Sequence, residues 1–230
     1  MKDLVKYVQQ ELAALADPAK AGPMAAYLKT DMPFYGVQKP DRAKIEKSML
    51  RNFRAATRRE YKQAILALWQ LPHREEKYLA IHFAANHMDF VDETNLPLYK
   101  RLIQEGAWWD FVDGIATALV GVALRKEPDR VWPTMDAWIE DEDFWLRRTA
   151  ILCQLGFKKE TDHRRLFDYC LRRADETEFF IRKAIGWALR DYSYAEPSRV
   201  KAFLLKNKDQ LSGLSFREGA KQLKKTGQLD

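Results

Sequence analysis

Apolar residues recur along this chain at the three- and four-residue spacing that marks one face of an α-helix. Ile65, Leu66, Leu68 and Trp69 group on one face of a segment that stops near Leu71-Pro72, and Tyr78, Ile81, His82 and Ala85 do the same in the next. Alternating apolar runs closed by Asn-Gly or Asp-Gly turns are missing, so no strand is predicted. Breakers fall at regular intervals: Asp17-Pro18, Lys39-Pro40-Asp41, Leu71-Pro72, Asn95-Leu96-Pro97, Glu127-Pro128-Asp129 and Glu196-Pro197-Ser198. Several put a proline in the first turn of the following helix, where its missing N–H costs nothing. The pattern predicts roughly twelve helices, joined by short links and paired as hairpins.

A longer period overlies this one. Trp108-Trp109-Asp110-Phe111-Val112-Asp113 is followed by Phe144-Trp145-Leu146-Arg147-Arg148-Thr149 and then by Phe179-Phe180-Ile181-Arg182-Lys183-Ala184, about every 35 residues. Each copy opens with aromatics, continues with charge and runs into an apolar helix. A fixed period of this length signals stacked helical hairpins, in which equivalent positions line up along one surface. Here those positions hold Asp113, Arg148 and Lys183. The N-terminal third repeats less clearly, as a cap does, so residues 1–40 are read as capping helices of a single domain spanning 1–230. Residues 221–230 are read as a polar, fraying tail.

Composition narrows the picture. With 47% hydrophobic and 31% charged residues, the chain can bury a core and remain soluble. The 39 Lys and Arg against 33 Asp and Glu leave a net charge of +6, which suits a polyanionic partner if it gathers on one face. Cys153 and Cys170 sit in apolar helical stretches and are expected to be buried and reduced. The first residues, MKDLVKYVQQELAAL, are charged throughout and do not read as a signal peptide, and no segment is apolar enough to span a bilayer, so a cytoplasmic protein is expected. His73, His82, His87 and His163 lack metal-ligand spacing, and there is no Gly-rich phosphate loop or GxSxG elbow. Metal, nucleoside triphosphate and acyl-transfer chemistry therefore find no support, and no metal or cofactor is expected.

The aromatics and charges of the repeat suggest a site. Trp109 and Asp113 share a helix face, as do Lys183, Trp187 and Arg190. Two indoles beside a carboxylate suit a cation, each ring face contributing about 0.5–2 kcal/mol. Arg148 and Lys183 would repel that cation but suit flanking phosphates. A cationic centre between phosphates describes an N-alkylated purine nucleotide in DNA. Each residue also has a plainer reading: tryptophans at helix starts pack, a carboxylate suits a helix's first turn, and most bases are solvated. It is their alignment at equivalent repeat positions that favours a site.

These stretches, together with Ile185-Gly186-Trp187-Ala188-Leu189-Arg190, Pro23-Met24-Ala25-Ala26-Tyr27 and Phe34-Tyr35-Gly36-Val37-Gln38, resemble the AlkD-type alkylpurine DNA glycosylases of the DNA alkylation repair family. The resemblance covers nearly the whole chain. It implies an all-α, right-handed superhelical solenoid of HEAT-like helical hairpin repeats, and an enzyme of base excision repair that hydrolyses the N-glycosidic bond of cationic N3- and N7-alkylated purines in duplex DNA. On it, Asp113 matches the catalytic carboxylate, and Trp109 and Trp187 the aromatic pair contacting the lesion and its deoxyribose. Arg148 matches a base that grips the DNA backbone; beyond the resemblance, Lys183 and Arg190 are expected to hold flanking phosphates with it, and Phe179 and Phe180 are expected to be DNA-binding. Tyr27 and Gln38 match positions near the site. No cofactor is implied, and a monomer, nucleoid-associated when on DNA, suffices. Some members of the family lack the carboxylate or an N-terminal helix, and this chain keeps both. Gly156 departs from the positive charge expected in its stretch, with Lys158 and Lys159 close by. The rival class is a non-catalytic HEAT-repeat module binding DNA, RNA or protein, and a third is a scaffold for an acidic protein.

Overall fold

The computed structural model describes residues 2–229, and among these every regular element is helical. Contacts divide the chain into two compact units, Met1–Val91 and Asp92–Asp230. The first holds α1 (Lys2–Ala14), α2 (Pro18–Leu28), α3 (Lys39–Asn52), α4 (Arg58–Trp69) and α5 (Arg74–Ala85). The second holds α6 (Leu96–Gly106), α7 (Trp109–Ile115), α8 (Gly121–Lys126), α9 (Pro128–Trp138), α10 (Phe144–Leu152), α11 (His163–Arg172), α12 (Phe179–Ser193), α13 (Pro197–Lys206) and α14 (Gly213–Lys225). Helix α7 continues into α8 through a π-helical turn, Ala116–Val120.

Local chemistry sets the helix starts. Prolines occupy the first turns of α2, α3, α6, α9 and α13, as their spacing predicts. Thr57 and Glu60 close a capping box on α4. Asp143, Asp162, Glu178 and Ser212 cap α10, α11, α12 and α14 by accepting from backbone N–H groups of the first turn.

In the second unit the 35-residue period becomes geometry. Helices α7, α10, α12 and α14 begin at Trp109, Phe144, Phe179 and Gly213, and each packs on the next. The core between them is apolar and closed: Phe111, Val112, Ile115, Leu146, Ile181, Ile185 and Leu189 are fully buried. Cys153 and Cys170 are buried free thiols, and burial pushes both upward in pKa. The C-terminal segment corrects one expectation. Residues from Lys221 are not a frayed tail at first, because α14 runs to Lys225 with Leu223 fully buried. Ala220 and Leu223 are buried on one face of that helix with Ser215, Glu218 and Gly219, while its overall composition stays polar.

The first unit is organised around buried charge. Arg74, Glu75, Glu76 and Lys77 open α5 and are all buried. Glu75 accepts from three successive backbone N–H groups: Tyr35 at 3.1 Å, Gly36 at 2.9 Å and Val37 at 3.0 Å. Glu76 accepts from the Tyr35 hydroxyl at 3.1 Å and the His73 N–H at 2.7 Å. Lys77 donates to the Trp69 and Leu71 carbonyls at the end of α4, at 2.8 and 2.6 Å. The segment before α3 is thereby fixed from below. Gly36 has φ of +87° there, and a Cβ on it would stand 2.1 Å from the Asp17 carbonyl oxygen, so only glycine fits.

Candidate functional site

Asp113 lies midway along α7, and Arg148 lies one period later on the adjacent α10. Their side chains meet in a two-pronged ion pair: Arg148 Nε donates to Asp113 Oδ1 and Nη2 to Oδ2, both at 2.8 Å. The remaining fork of Arg148, Nη1, donates to the Phe180 carbonyl at the start of α12. Three consecutive helices of the row are thus tied through one guanidinium. Arg148 is only 4% exposed, while the Asp113 side chain keeps 13% of its surface open. The acid therefore presents an edge to solvent and the base does not.

Burial raises the Asp113 pKa, and hydrogen bonding and charge from Arg148 offset part of that rise, while nearby Asp110 adds to it. The result is a carboxylate that is partly desolvated, oriented on both oxygens and held charged by one partner. Thr117 donates to the Asp113 backbone carbonyl at 2.8 Å, at the point where the π-helical turn begins. A π-turn inserts one extra residue and re-aims the side chains beyond it. Gly121 ends the turn, with no room for a Cβ, which would lie 2.5 Å from the Cys153 carbonyl oxygen.

The aromatics around this pair divide into two sets. Trp108, Phe144, Trp145 and Phe180 form a packed cluster, with ring centroids 4.5–6.5 Å apart. Phe180 belongs to this cluster and, through its carbonyl, to the support of Arg148. Phe179 is 55% exposed and meets the edge of Phe180. Trp109 and Trp187 are part-exposed; Trp109 shares the Asp113 face of α7. Trp187 lines a 440 Å³ recess together with Arg190, Asp191, Tyr194, Lys221, Gln222 and Lys225.

The expected backbone-gripping cations are placed differently from one another. Arg148 is spent on Asp113 and on a backbone carbonyl, so its buried guanidinium supports the carboxylate. Lys183 and Arg190 on α12 both reach Glu218 on α14, at 3.1 and 2.9 Å. Arg147, adjacent to Arg148, holds the loop before its own helix through the Asp141 and Glu142 carbonyls and pairs with Glu176. Gly156 has φ of +78° and donates its N–H to Asp191 at 2.9 Å, a conformation that disfavours a lysine side chain at this position. Tyr27 and Gln38 belong to the first unit, and both are exposed.

Two groups escaped sequence reasoning. Glu218 stands one more 35-residue step beyond Lys183, so extending the period once would have found it. The Arg74–Lys77 set gave no such signal, because a charged run at a helix start ordinarily marks a solvated face. Among the described residues, no three His, Cys, Asp or Glu side chains group as metal ligands, and no helix is long and apolar enough to cross a membrane.

Comparison with known proteins places this geometry in context. A family model described as DNA alkylation repair enzyme matches residues 8–223. A solved structure described as a predicted DNA alkylation repair enzyme from Enterococcus faecalis superposes with a TM-score of 0.84 at 31% identity, covering 90% of this chain and 96% of that one. AlkD2 from Streptococcus mutans gives 0.64 at 18% identity, covering 87% and 98%. The smu.31 protein of Streptococcus mutans UA159 gives 0.60 at 19%, covering 80% and 98%. These last two establish a shared helical-repeat fold. Among curated proteins there is no significant match.

Proposed function

We propose that this chain, which belongs to the DNA alkylation repair enzyme family, is a DNA glycosylase that releases cationic N3- and N7-alkylated purines from duplex DNA. Membership of the family implies a DNA partner. The observation that carries the finer reading is the Asp113–Arg148 pair: a partly desolvated carboxylate, oriented on both oxygens, with one edge open and part-exposed Trp109 on its helix face.

The chemistry is set by the lesion. An alkylated purine with a positive ring is already a good leaving group, so it needs no general acid. The demand falls on the deoxyribose, which gains oxocarbenium character as the glycosidic bond breaks. A carboxylate in a partly dry site stabilises that charge more strongly than one in water. Asp113 also orients the attacking water and accepts its proton. Trp109 and Trp187 add cation–π attraction to base and sugar. The role of Arg148 is to hold Asp113 charged and aimed, against the pull of burial toward the neutral acid. Many glycosylases flip the base into a closed pocket. Part-exposed indoles and an open-edged carboxylate instead suit catalysis without enclosure, which favours labile cationic lesions and tolerates bulk.

The test is release of 7-methylguanine from methylated duplex DNA with chelator present, wild type beside Asp113→Asn. The expected result is release well above the spontaneous rate, reduced at least about 100-fold in the variant, with duplex binding retained. Equal release by Asp113→Asn refutes the assignment of the carboxylate. No release by the wild type, with DNA still bound, makes the chain a repeat-protein binder.

A further inference from the structure

The charged ladder of the second unit has a fourth rung. Asp113, Arg148 and Lys183 are followed at the same interval by Glu218 on α14. The rungs run minus, plus, plus, minus, and the structure pairs them in twos, Asp113 with Arg148 and Lys183 with Glu218. The second pair is unlike the first. Glu218 takes Lys183 and Lys221 on Oε1, at 3.1 and 2.6 Å, and Arg190 on Oε2 at 2.9 Å. Three cations around one carboxylate leave an excess of positive charge at this place.

Exposure is also reversed. Here the acid is the less exposed partner: the Glu218 side chain is 10% exposed, while those of Lys183, Arg190 and Lys221 are 37%, 29% and 54% exposed. Close helix approach makes this possible. A Cβ on Gly186 of α12 would lie 2.4 Å from the Glu218 Cβ, Gly219 faces Leu189, and Ser215 donates to the Arg182 carbonyl at 3.0 Å. Burial pushes the Glu218 carboxyl toward neutrality, but hydrogen bonds from Lys221 and Lys183 outweigh it, so its pKa falls below the usual glutamate range. Beside the cluster opens the 440 Å³ recess, lined also by Trp187, the 67% exposed Tyr194, Lys225 and one carboxylate, Asp191, which accepts the Gly156 N–H at 2.9 Å.

An exposed acid on a DNA-facing surface repels phosphate. A buried acid that gathers three long cations does the opposite, because their rotamer freedom is already spent before the ligand arrives. We propose that Glu218 is a positioning residue that fixes Lys183, Arg190 and Lys221 as a seat for one phosphodiester of duplex DNA, beside Trp187. This rests on the reading of the chain as an enzyme acting on DNA.

The experiment measures affinity of the full chain for an undamaged duplex oligonucleotide across a salt series, with 7-methylguanine release by the same proteins. Glu218→Gln makes the chain more positive, and simple Coulomb attraction would then tighten binding. The seat requires the reverse, binding weakened about fivefold or more. Release should fall through a raised KM, with kcat held within about twofold. Binding by Glu218→Gln as tight as wild type, or tighter, overturns the positioning role. Because Glu218 lies in the contact of α12 with α14, the half-exposed Lys221 supplies a second variant. Lys221→Gln should weaken binding and lower the salt slope by about one, and unchanged affinity and slope overturn the seat. Failure of the two readings is separable. A wild type that binds duplex but releases no base removes the glycosylase reading, and the seat is still judged by binding. Intact release, lost in Asp113→Asn, with both seat variants binding normally, removes the seat alone. A wild type without affinity for duplex DNA overturns both.

Discussion

The two units bury charge in opposite ways. At the start of α5, Glu75 spends its carboxylate on three backbone N–H groups and Lys77 spends its ammonium on two carbonyls. These partners are main chain of the same unit, so these charges hold a fold. In the second unit, Asp113 is met by a side chain on the neighbouring helix and keeps one edge open. A buried charge satisfied by backbone stiffens a loop. A buried charge satisfied by another side chain, with part of it uncovered, is poised to act on something else. Burial alone does not separate the two roles, whereas the identity of the partners does.

The largest effects should split along this line. Glu75→Gln leaves one or more of the Tyr35–Val37 N–H groups poorly paired, and should destabilise the first unit by about 3 kcal/mol, read as a lowered denaturant midpoint. Asp113→Asn should cost excision instead, with a much smaller change in the midpoint of unfolding. If Asp113→Asn unfolds the chain as readily as Glu75→Gln does, the contrast between the two sites fails.

A middle-sized effect sharpens the role of Arg148. Burial already raises the Asp113 pKa, and Arg148 works against that rise. The excision rate should therefore climb with pH along a limb lying above the ordinary aspartate range. Arg148→Met removes the opposing charge and should move that limb further upward, with activity partly regained at higher pH. A limb that stays in place would make Arg148 a packing residue.

The smallest effect belongs to His87 in the first unit. Its Nε2 accepts from the Ala55 N–H at 3.0 Å, and its Nδ1 lies 2.8 Å from the Phe83 carbonyl, which fixes the neutral ring with its proton on Nδ1. Desolvation lowers its pKa, partly opposed by the bond to Phe83 and assisted by Arg54. A histidine with a depressed folded pKa contributes stability at pH above the unfolded value of about 6.5 and loses it as pH falls through the folded value. Unfolding midpoints of the wild type should decline over that window, and His87→Gln should flatten the decline. An equal slope in both proteins would remove His87 from the account.

Much of the fold was legible along the chain. Period-3.6 patterning and prolines in first turns give helices where they stand, and the 35-residue recurrence of Trp109, Phe144 and Phe179 gives the row of α7, α10 and α12. That Asp113 and Arg148 are neighbours was also legible, since equivalent rungs of a repeat stand side by side, but their ion pair was not, because the sequence reading set Arg148 against the DNA backbone. The helical start of the C-terminal segment was not, because Leu223 and its apolar neighbours are too few to change a polar average. The buried set Arg74–Lys77 was not either, because the partners of Glu75 and the Tyr35 hydroxyl bound by Glu76 lie about 40 residues back in a stretch without a periodic pattern.

What the order of residues settles is periodic: which segments coil, which faces are apolar, and which side chains recur in register along the row. What it leaves to the folded chain is assignment of partners. Arg148 and its neighbour Arg147 are the same residue type side by side, yet one is turned onto Asp113 and the other onto the loop before α10. Lys183 likewise turns to Glu218, one rung further on. Successive positions on a helix point about 100° apart, so the choice depends on which helix stands on each side and how near it comes. Glycines such as Gly186 and Gly121 set that approach through the room they leave for backbone and side chains distant in sequence.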